Sequence, residues 1–120
     1  MITPFDYKTF KAFPHQSIKD AEGGSYDDYG DPFTITAEMF AAGGRTQAEL
    51  YGQRLPNIRN LLLRESYKEI SGENGKLQYE VDGNILSIGT GIGINRDTEP
   101  DYEIVAIYPY SRLMIEVEKL

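Results

Sequence analysis

The sequence predicts a mainly β fold, a small antiparallel β-barrel or β-sandwich of five to six strands. Three observations indicate this. Several short segments alternate apolar and polar residues, which is the period of a half-buried strand. The chain contains 12 Gly and 6 Pro, which favour tight turns, and 9 Tyr and 5 Phe, which are frequent in strands. No segment has the sustained helical spacing of apolar residues that predicts a long helix.

A length of 120 residues fits one domain, which we divide into an extended N-terminal arm or linker over residues 1–32 and a β-barrel domain over residues 33–120. Gly and Pro interrupt the arm, and only the part around Asp6–Phe13 suggests a short strand or helical turn. Turn-forming residues fill Glu22–Pro32 and the loop Ser71-Gly-Glu-Asn-Gly. We expect the arm and this loop to be mobile.

The first predicted barrel strand begins at Phe33 and ends before Gly43. Its apolar residues alternate with polar ones, as expected for a strand with one buried face. These apolar residues are Phe33, Ile35, Ala37 and Met39.

The next segment, Thr46–Tyr51, is predicted as a second strand. The competing interpretation is a helix start, because Thr46 and Glu49 have the spacing of a capping box. We favour the strand because Gly52 and Pro56 leave such a helix almost no room.

The clearest local signal is a β-hairpin over residues 77–88. A two-residue loop at Gly83-Asn84 would place two apolar pairs on one face, whereas a loop at Asp82-Gly83 would place Val81 opposite Asn84. We therefore predict the first register. Its core pairs are Val81 with Leu86 and Tyr79 with Ile88.

Three further segments complete the predicted β structure. Asn57–Arg64 fits a buried strand or one helical turn, Tyr102–Tyr108 fits a central strand, and Leu113–Val117 alternates. The glycines of Gly89-Thr-Gly-Ile-Gly lack the spacing of a phosphate loop and precede no helix, so we expect them to bend or bulge a strand.

Composition excludes several functional classes. The absence of Cys excludes disulfides, thiol nucleophiles and cysteine zinc sites. No apolar run approaches the ~18 residues of a membrane-spanning helix, and the N-terminus lacks the pattern of a secretion signal. With 12 basic and 19 acidic residues the net charge is −7, which opposes binding to the outside of a nucleic acid. We expect a cytoplasmic protein that does not read DNA.

No residue pattern predicts catalysis, a cofactor or a metal site. The single histidine, His15, has no carboxylate or hydroxyl positioned beside it by the sequence. Asp27, Asp28 and Asp31 could offer oxygen ligands to calcium, but their spacing fits no calcium loop and the neighbouring Gly and Pro favour a turn. Tyrosines such as Tyr102 could stack nucleic-acid bases, but acidic neighbours favour a packing role instead.

Charge is distributed unevenly along the chain. Between Arg45 and Lys68, five bases outnumber two acids, whereas residues 20–31 and 97–103 contain acids and no base. This pattern fits solvated loops, or a molecule whose basic side contacts the acidic side of another copy. The candidate interface residues are Arg45, Glu49, Tyr51, Arg54, Arg59 and Arg64.

The order of segments resembles a family over roughly residues 26–120. Tyr26-Asp-Asp-Tyr-Gly-Asp-Pro precedes the first strand, the charged segment 45–55 follows it, and the hairpin comes later. The most specific pieces are Ala48-Glu-Leu-Tyr-Gly and Asp101-Tyr-Glu-Ile-Val-Ala-Ile. This combination resembles the head-closure, or head-tail connector, proteins of tailed phages and prophages of Gram-positive hosts.

The resemblance implies a structural virion protein without enzymatic activity or cofactor. Such a protein forms a ring at the phage neck, closes the DNA-filled head and joins it to the tail. The implied partners are copies of itself, the portal or adaptor protein, a tail-end protein, and phage DNA that passes through the lumen without sequence-specific binding; no membrane is involved. The implied locations are the host cytoplasm during assembly and then the virion. Residues 1–25 extend beyond the shortest members, which leaves their role open.

Other function classes remain open at this point. One is another neck or tail-end component, such as a tail terminator. Another is a small cytoplasmic β-barrel binding module, and the least favoured is a hydrolase with a carboxylate pair. A ring-forming subunit and a plain monomer differ in oligomeric state, whereas a deep pocket with two close carboxylates would favour the enzyme.

Overall fold

The computed structural model of the chain describes residues 7–19, 25–72 and 77–120. Six antiparallel strands form a closed barrel, with two small additional sheets beside it. The predicted mainly β fold is therefore confirmed. The strands are β1 (Tyr7–Phe13), β2 (His15–Lys19), β3 (Ser25–Tyr29), β4 (Phe33–Ala41), β5 (Ile58–Leu63), β6 (Lys68–Ser71), β7 (Leu77–Val81), β8 (Asn84–Leu86), β9 (Gly91–Gly93), β10 (Tyr102–Pro109) and β11 (Leu113–Lys119).

The barrel has the strand order β1-β4-β5-β11-β10-β9, and β9 closes it by pairing with both β1 and β10. Closure removes the open edges that an antiparallel sheet would otherwise expose. Strands β2 and β3 pair with each other, and β6, β7 and β8 form a three-stranded sheet. One α-helix, α1 (Gly44–Tyr51), continues into a 3-10 helix (Gly52–Asn57) between β4 and β5.

The core lies inside the barrel, and alternate residues of the barrel strands point into it. In β4, Ile35 and Ala37 are buried, as the predicted alternation requires. In β11 the predicted inward residues are also buried, and the three-stranded sheet adds Tyr79, Val81 and Leu86 to the same cluster. The small sheet therefore packs against the barrel. The inward residues of β11 are Leu113, Ile115 and Val117.

The barrel begins at Tyr7, which corrects the predicted boundary between arm and barrel at Phe33. Strand β1 pairs with β4 on one side and β9 on the other. The sequence suggested a short strand or helical turn around Asp6–Phe13 but did not place it in the barrel, because its buried residues include the adjacent positions Ala12 and Phe13 and so lack period-2 alternation. Residues 1–6 and 20–24 of the predicted mobile arm, and residues 73–76 of the predicted mobile loop, lie outside the described residues.

The predicted strand over Thr46–Tyr51 is wrong, because this segment belongs to α1. The helix starts at Gly44, two residues before the capping-box position, and the side-chain Oε1 of Gln47 accepts a hydrogen bond from the backbone N–H of Gly43. The α-helix ends at Tyr51, and the residue that follows it, Gly52, has a φ of 55°. Because the helix starts at Gly44, eight residues fit before Gly52.

The register of the predicted hairpin is also wrong. The turn is Asp82-Gly83, Val81 pairs with Asn84, and Tyr79 pairs with Leu86. Both turn residues have positive φ, 51° and 82°, as a type I′ turn requires. Three of the four predicted core residues are buried, but Ile88 is exposed. The turn conformation therefore determined the register, although the predicted register would have formed one more apolar pair.

The glycine-rich segment forms the short strand β9, which is buried throughout. A Cβ at Gly93 would lie 2.0 Å from the carbonyl oxygen of Arg96, and one at Gly91 would lie 2.6 Å from Cβ of Pro100. These glycines therefore permit close packing of the closing strand, and of the expected bend or bulge, no bulge occurs in the pairings of β9. The irregularity in pairing lies in β10, between Ile104 and Ala106.

Candidate binding site beneath helix α1

A row of side chains crosses the outer face of the barrel beneath α1. Phe40 of β4 pairs with Asn60 of β5, Asn60 pairs with Glu116 of β11, and Glu116 pairs with Ala106 of β10. Because Glu116 alternates with inward-pointing residues of β11, its side chain points away from the core. It is nevertheless only 2% exposed, and Asn60 is 4% exposed. A second buried layer therefore lies outside the barrel.

Helix α1 supplies the hydrogen-bonding partners of these two buried polar residues. The side-chain amide of Gln47 donates to Oδ1 of Asn60 at 2.8 Å. One turn later, the hydroxyl of Tyr51 donates to Oε2 of Glu116. Helical spacing puts residues 47 and 51 on the same face of α1, so both reach the barrel.

The 3-10 helix continues this attachment through Arg54. Its Nε donates to Oε2 of Glu118 at 2.7 Å, and Nη2 donates to the other carboxylate oxygen. The hydrogen bond from Arg54 holds the pKa of the Glu118 carboxyl below its usual value. Together these contacts fasten the helical segment to the barrel, and we name the six residues the polar clamp: Gln47, Tyr51, Arg54, Asn60, Glu116 and Glu118.

The carboxylate of Glu116 influences the pKa values of two tyrosines. Burial and the hydrogen bond to Glu116 raise the pKa of Tyr51, and the same two causes raise the pKa of Tyr108. Both hydroxyls therefore remain protonated at neutral pH and act as neutral hydrogen-bonding partners of the carboxylate. The guanidinium carbon of Arg54 lies 5.5 Å from the Tyr51 ring centroid on the outer side.

Glu116 also borders an open depression of about 560 Å³ between α1 and the ends of β10 and β11. The rings of Tyr108 and Tyr110 are stacked along it, with centroids 5.8 Å apart and planes inclined by 11°. Its rim is partly apolar, because Phe40 is 42% exposed and Tyr110 is 59% exposed. The depression thus combines a buried carboxylate with aromatic walls.

The structure separates the six candidate interface residues into different roles. Arg45 and Glu49 form an exposed ion pair on α1, with 3.1 Å between Nε and Oε1. Tyr51 and Arg54 belong to the polar clamp, and Arg54 binds an acid of its own chain, Glu118.

The remaining two residues lie towards opposite ends of β5. Nη1 of Arg59 donates to the carbonyls of Pro56 and Ile58, which fixes the end of the 3-10 helix. Arg64 follows β5, with its guanidinium carbon 5.9 Å from the ring centroid of Tyr7. The candidate list thus contains two residues of the polar clamp, Tyr51 and Arg54, but it contains neither Glu116 nor Tyr108.

Among the described residues, no group of three or more His, Cys, Asp or Glu side chains is arranged to hold a metal ion. Within the same ranges, no helix has the length and apolar character needed to cross a membrane. Comparison with protein-family models, curated proteins and solved structures found no match to this chain.

Proposed function

We propose that this chain is a structural subunit of a phage neck, which forms a ring that closes the DNA-filled head and joins it to the tail. One structural observation carries this proposal: the small barrel exposes two different apolar patches. A ring requires such a pair, because one surface of each subunit meets a different surface of the next. The order of segments over roughly residues 26–120 supports the phage assignment through its resemblance to head-closure proteins.

The first patch, which we name the helix patch, surrounds the outer face of α1. Leu50 is 61% exposed there, beside the Arg45–Glu49 ion pair. Phe40 and Tyr110 extend the exposed apolar surface along the depression. An exposed helix face with apolar residues and both charge signs is suited to a specific protein contact.

The second patch, the sheet patch, lies where the three-stranded sheet meets β10. Leu77 is 52% exposed and Ile88 is 60% exposed, and with Ile107 they border a mainly apolar depression of about 650 Å³. Ile107 and Tyr108 are consecutive in β10 and point to opposite faces of the strand. The two patches therefore border opposite faces of β10, which suits a head-to-tail contact between copies.

The charge balance also supports this function. A net charge of −7 gives an acidic protein, and an acidic lumen repels the phosphates of DNA that passes through it. The segment 45–68 carries +3 in the sequence, and two of its arginines, Arg45 and Arg54, bind acids of their own chain. A ring of such subunits would let DNA pass through without sequence-specific binding.

The test is genetic and biochemical, in the phage or prophage that encodes the chain. Loss of the gene should give DNA-filled heads that leak their genome, together with free tails, and the purified chain should restore genome retention. Leu50→Asp and Ile88→Asp should each fail to restore it. Normal virions without the chain would overturn the proposal, and tails of irregular length would indicate a tail terminator instead.

Mixing the two variants tests the ring geometry itself. In a head-to-tail contact, the intact sheet patch of Leu50→Asp can meet the intact helix patch of Ile88→Asp. The mixture should therefore give pairs but no rings by native mass spectrometry, under conditions in which the wild type forms rings. Rings of normal size from either single variant would contradict the assignment of that patch.

A further inference from the structure

The carboxylate of Glu116 has hydrogen-bonding capacity that the described side chains do not fill. A carboxylate offers about four acceptor sites, and the hydroxyl of Tyr51 occupies one of them. Among the side chains that the structure describes, no Lys or Arg forms an ion pair with Glu116; the clamp arginine, Arg54, binds Glu118. A buried anion with only neutral partners is costly, so this position favours an incoming cation.

The walls of the depression select the kind of cation. The ring of Tyr108, stacked with Tyr110, borders the space next to Glu116. A guanidinium group is planar, stacks on aromatic rings and presents two parallel N–H donors to one carboxylate. An ammonium group lacks both the plane and the paired donors. An anionic ligand would be repelled by the carboxylate.

We propose that this depression binds the guanidinium group of an arginine side chain carried by a partner protein. Glu116 accepts two N–H bonds from the guanidinium, and the tyrosine pair flanks its plane. The volume of about 560 Å³ exceeds what a guanidinium fills, and the exposed rings of Phe40 and Tyr110 can contact the residues beside the arginine. This inference does not rest on the neck function, because the site would receive an arginine from any protein of suitable shape.

The first experiment measures which chemical group binds. The full chain, labelled with ¹⁵N, is titrated with N-acetyl-arginine amide and with the corresponding citrulline compound, which is a neutral isostere. The arginine compound should give saturable shifts at the amides of Thr46, Gln47 and Met114, and citrulline should bind at least tenfold more weakly. Equal binding of the two compounds, or no saturable shift with arginine, would overturn the proposal.

The second experiment tests the source of the arginine. A peptide with one arginine between leucines should bind at least tenfold more tightly than the arginine amide, because its neighbours contact the aromatic rim. The matched peptide with citrulline should lose that affinity. If the arginine peptide binds no more tightly than the amide, the site takes a free small molecule, and the protein-borne source is refuted.

Variants of the chain locate the site. Glu116→Gln removes the charge at nearly constant size and should weaken arginine binding at least tenfold, whereas Glu49→Gln makes the same change on the exposed face of α1 and should leave it unchanged. Tyr110→Ala removes an exposed aromatic wall and should weaken binding at least threefold, which keeps the test decisive if Glu116→Gln fails to fold. Wild-type affinity in Glu116→Gln or in Tyr110→Ala would refute the assigned site.

Discussion

The hydroxyl of Tyr51 donates a hydrogen bond to the carboxylate of Glu116, which lies 65 positions later in the chain. Both side chains are buried, although Glu116 lies on the outer face of the barrel. An isolated helix as short as α1 is not stable in water, so its conformation depends on packing and on contacts such as this one. The pair therefore couples the position of the helix patch to the barrel.

Replacing Tyr51 with Phe should lower the free energy of unfolding by about 1–3 kcal/mol. The substitution keeps the ring but removes one hydrogen bond to a buried carboxylate. Urea unfolding at neutral pH measures the change. Tyr110→Phe removes a hydroxyl from a side chain that is 59% exposed, and it should shift the free energy by less than about 0.5 kcal/mol. Equal midpoints for the wild type and Tyr51→Phe would contradict a stabilising role for the pair.

The contact between Arg54 and Glu118 should make stability depend on pH in acid. Because Arg54 lowers the pKa of Glu118 in the folded state, the contact stabilises the protein above the unfolded pKa of about 4.3. This stabilisation disappears as the pH falls through the lowered folded value. Arg54→Met should therefore be less stable than the wild type at neutral pH, and the difference should shrink in acid.

Urea unfolding at a series of acidic pH values measures that difference. Arg45→Met is the control, because it removes an exposed arginine of α1 that pairs with Glu49 instead of Glu118. This control accounts for the change in stability that results from losing one positive charge. A stability difference between Arg54→Met and this control that stays constant from neutral pH into strong acid would argue against the linkage.

The observed register of the hairpin predicts opposite outcomes for two similar substitutions. Val81 is 1% exposed in the core, so Val81→Asp buries an unpaired charge and should cost several kcal/mol, on the order of 3–5. Ile88 is 60% exposed, so Ile88→Asp should cost less than about 1 kcal/mol. Thermal or urea unfolding compares the two variants directly. Comparable large losses in both would favour the alternative register, in which Ile88 lies in the core.

Sequence patterns predicted those strands whose inward residues alternate regularly. The inward residues of β4 and β11 follow period 2, so their buried faces were predicted correctly. Strand β1 has adjacent buried residues, and the start of α1 depends on Gln47 bonding back to Gly43. These features depend on local geometry and on the neighbours each segment finds in the fold, which alternation alone does not describe.

The site was harder to predict than the fold. In the sequence, Glu116 occupies the outward position of an alternating strand, where an acid is ordinarily solvated. Its burial results from α1, which folds over the strand from a distant part of the chain. Tyr51 was identified as a candidate from its charged surroundings, but only the tertiary structure reveals its partner. A sequence signal for such a pair would require covariation between the two positions.

Exchanging the charges of the Arg45–Glu49 pair separates assembly from stability. Arg45→Glu with Glu49→Arg keeps the net charge and the ion pair, and places the acid nearer the helix N-terminus, so the melting temperature should stay constant or rise slightly. Each exposed charge contact contributes only ~0–1 kcal/mol, but around a ring the contributions accumulate and steer docking. Exchanging the two charges should therefore impair formation of the proposed ring, and with it genome retention, most strongly at low salt. The matched control exchanges Arg96 and Glu99, an exposed pair outside the helix patch, and should assemble normally. If both exchanged proteins assemble like the wild type, the charged face of α1 does not contribute to the contact between subunits.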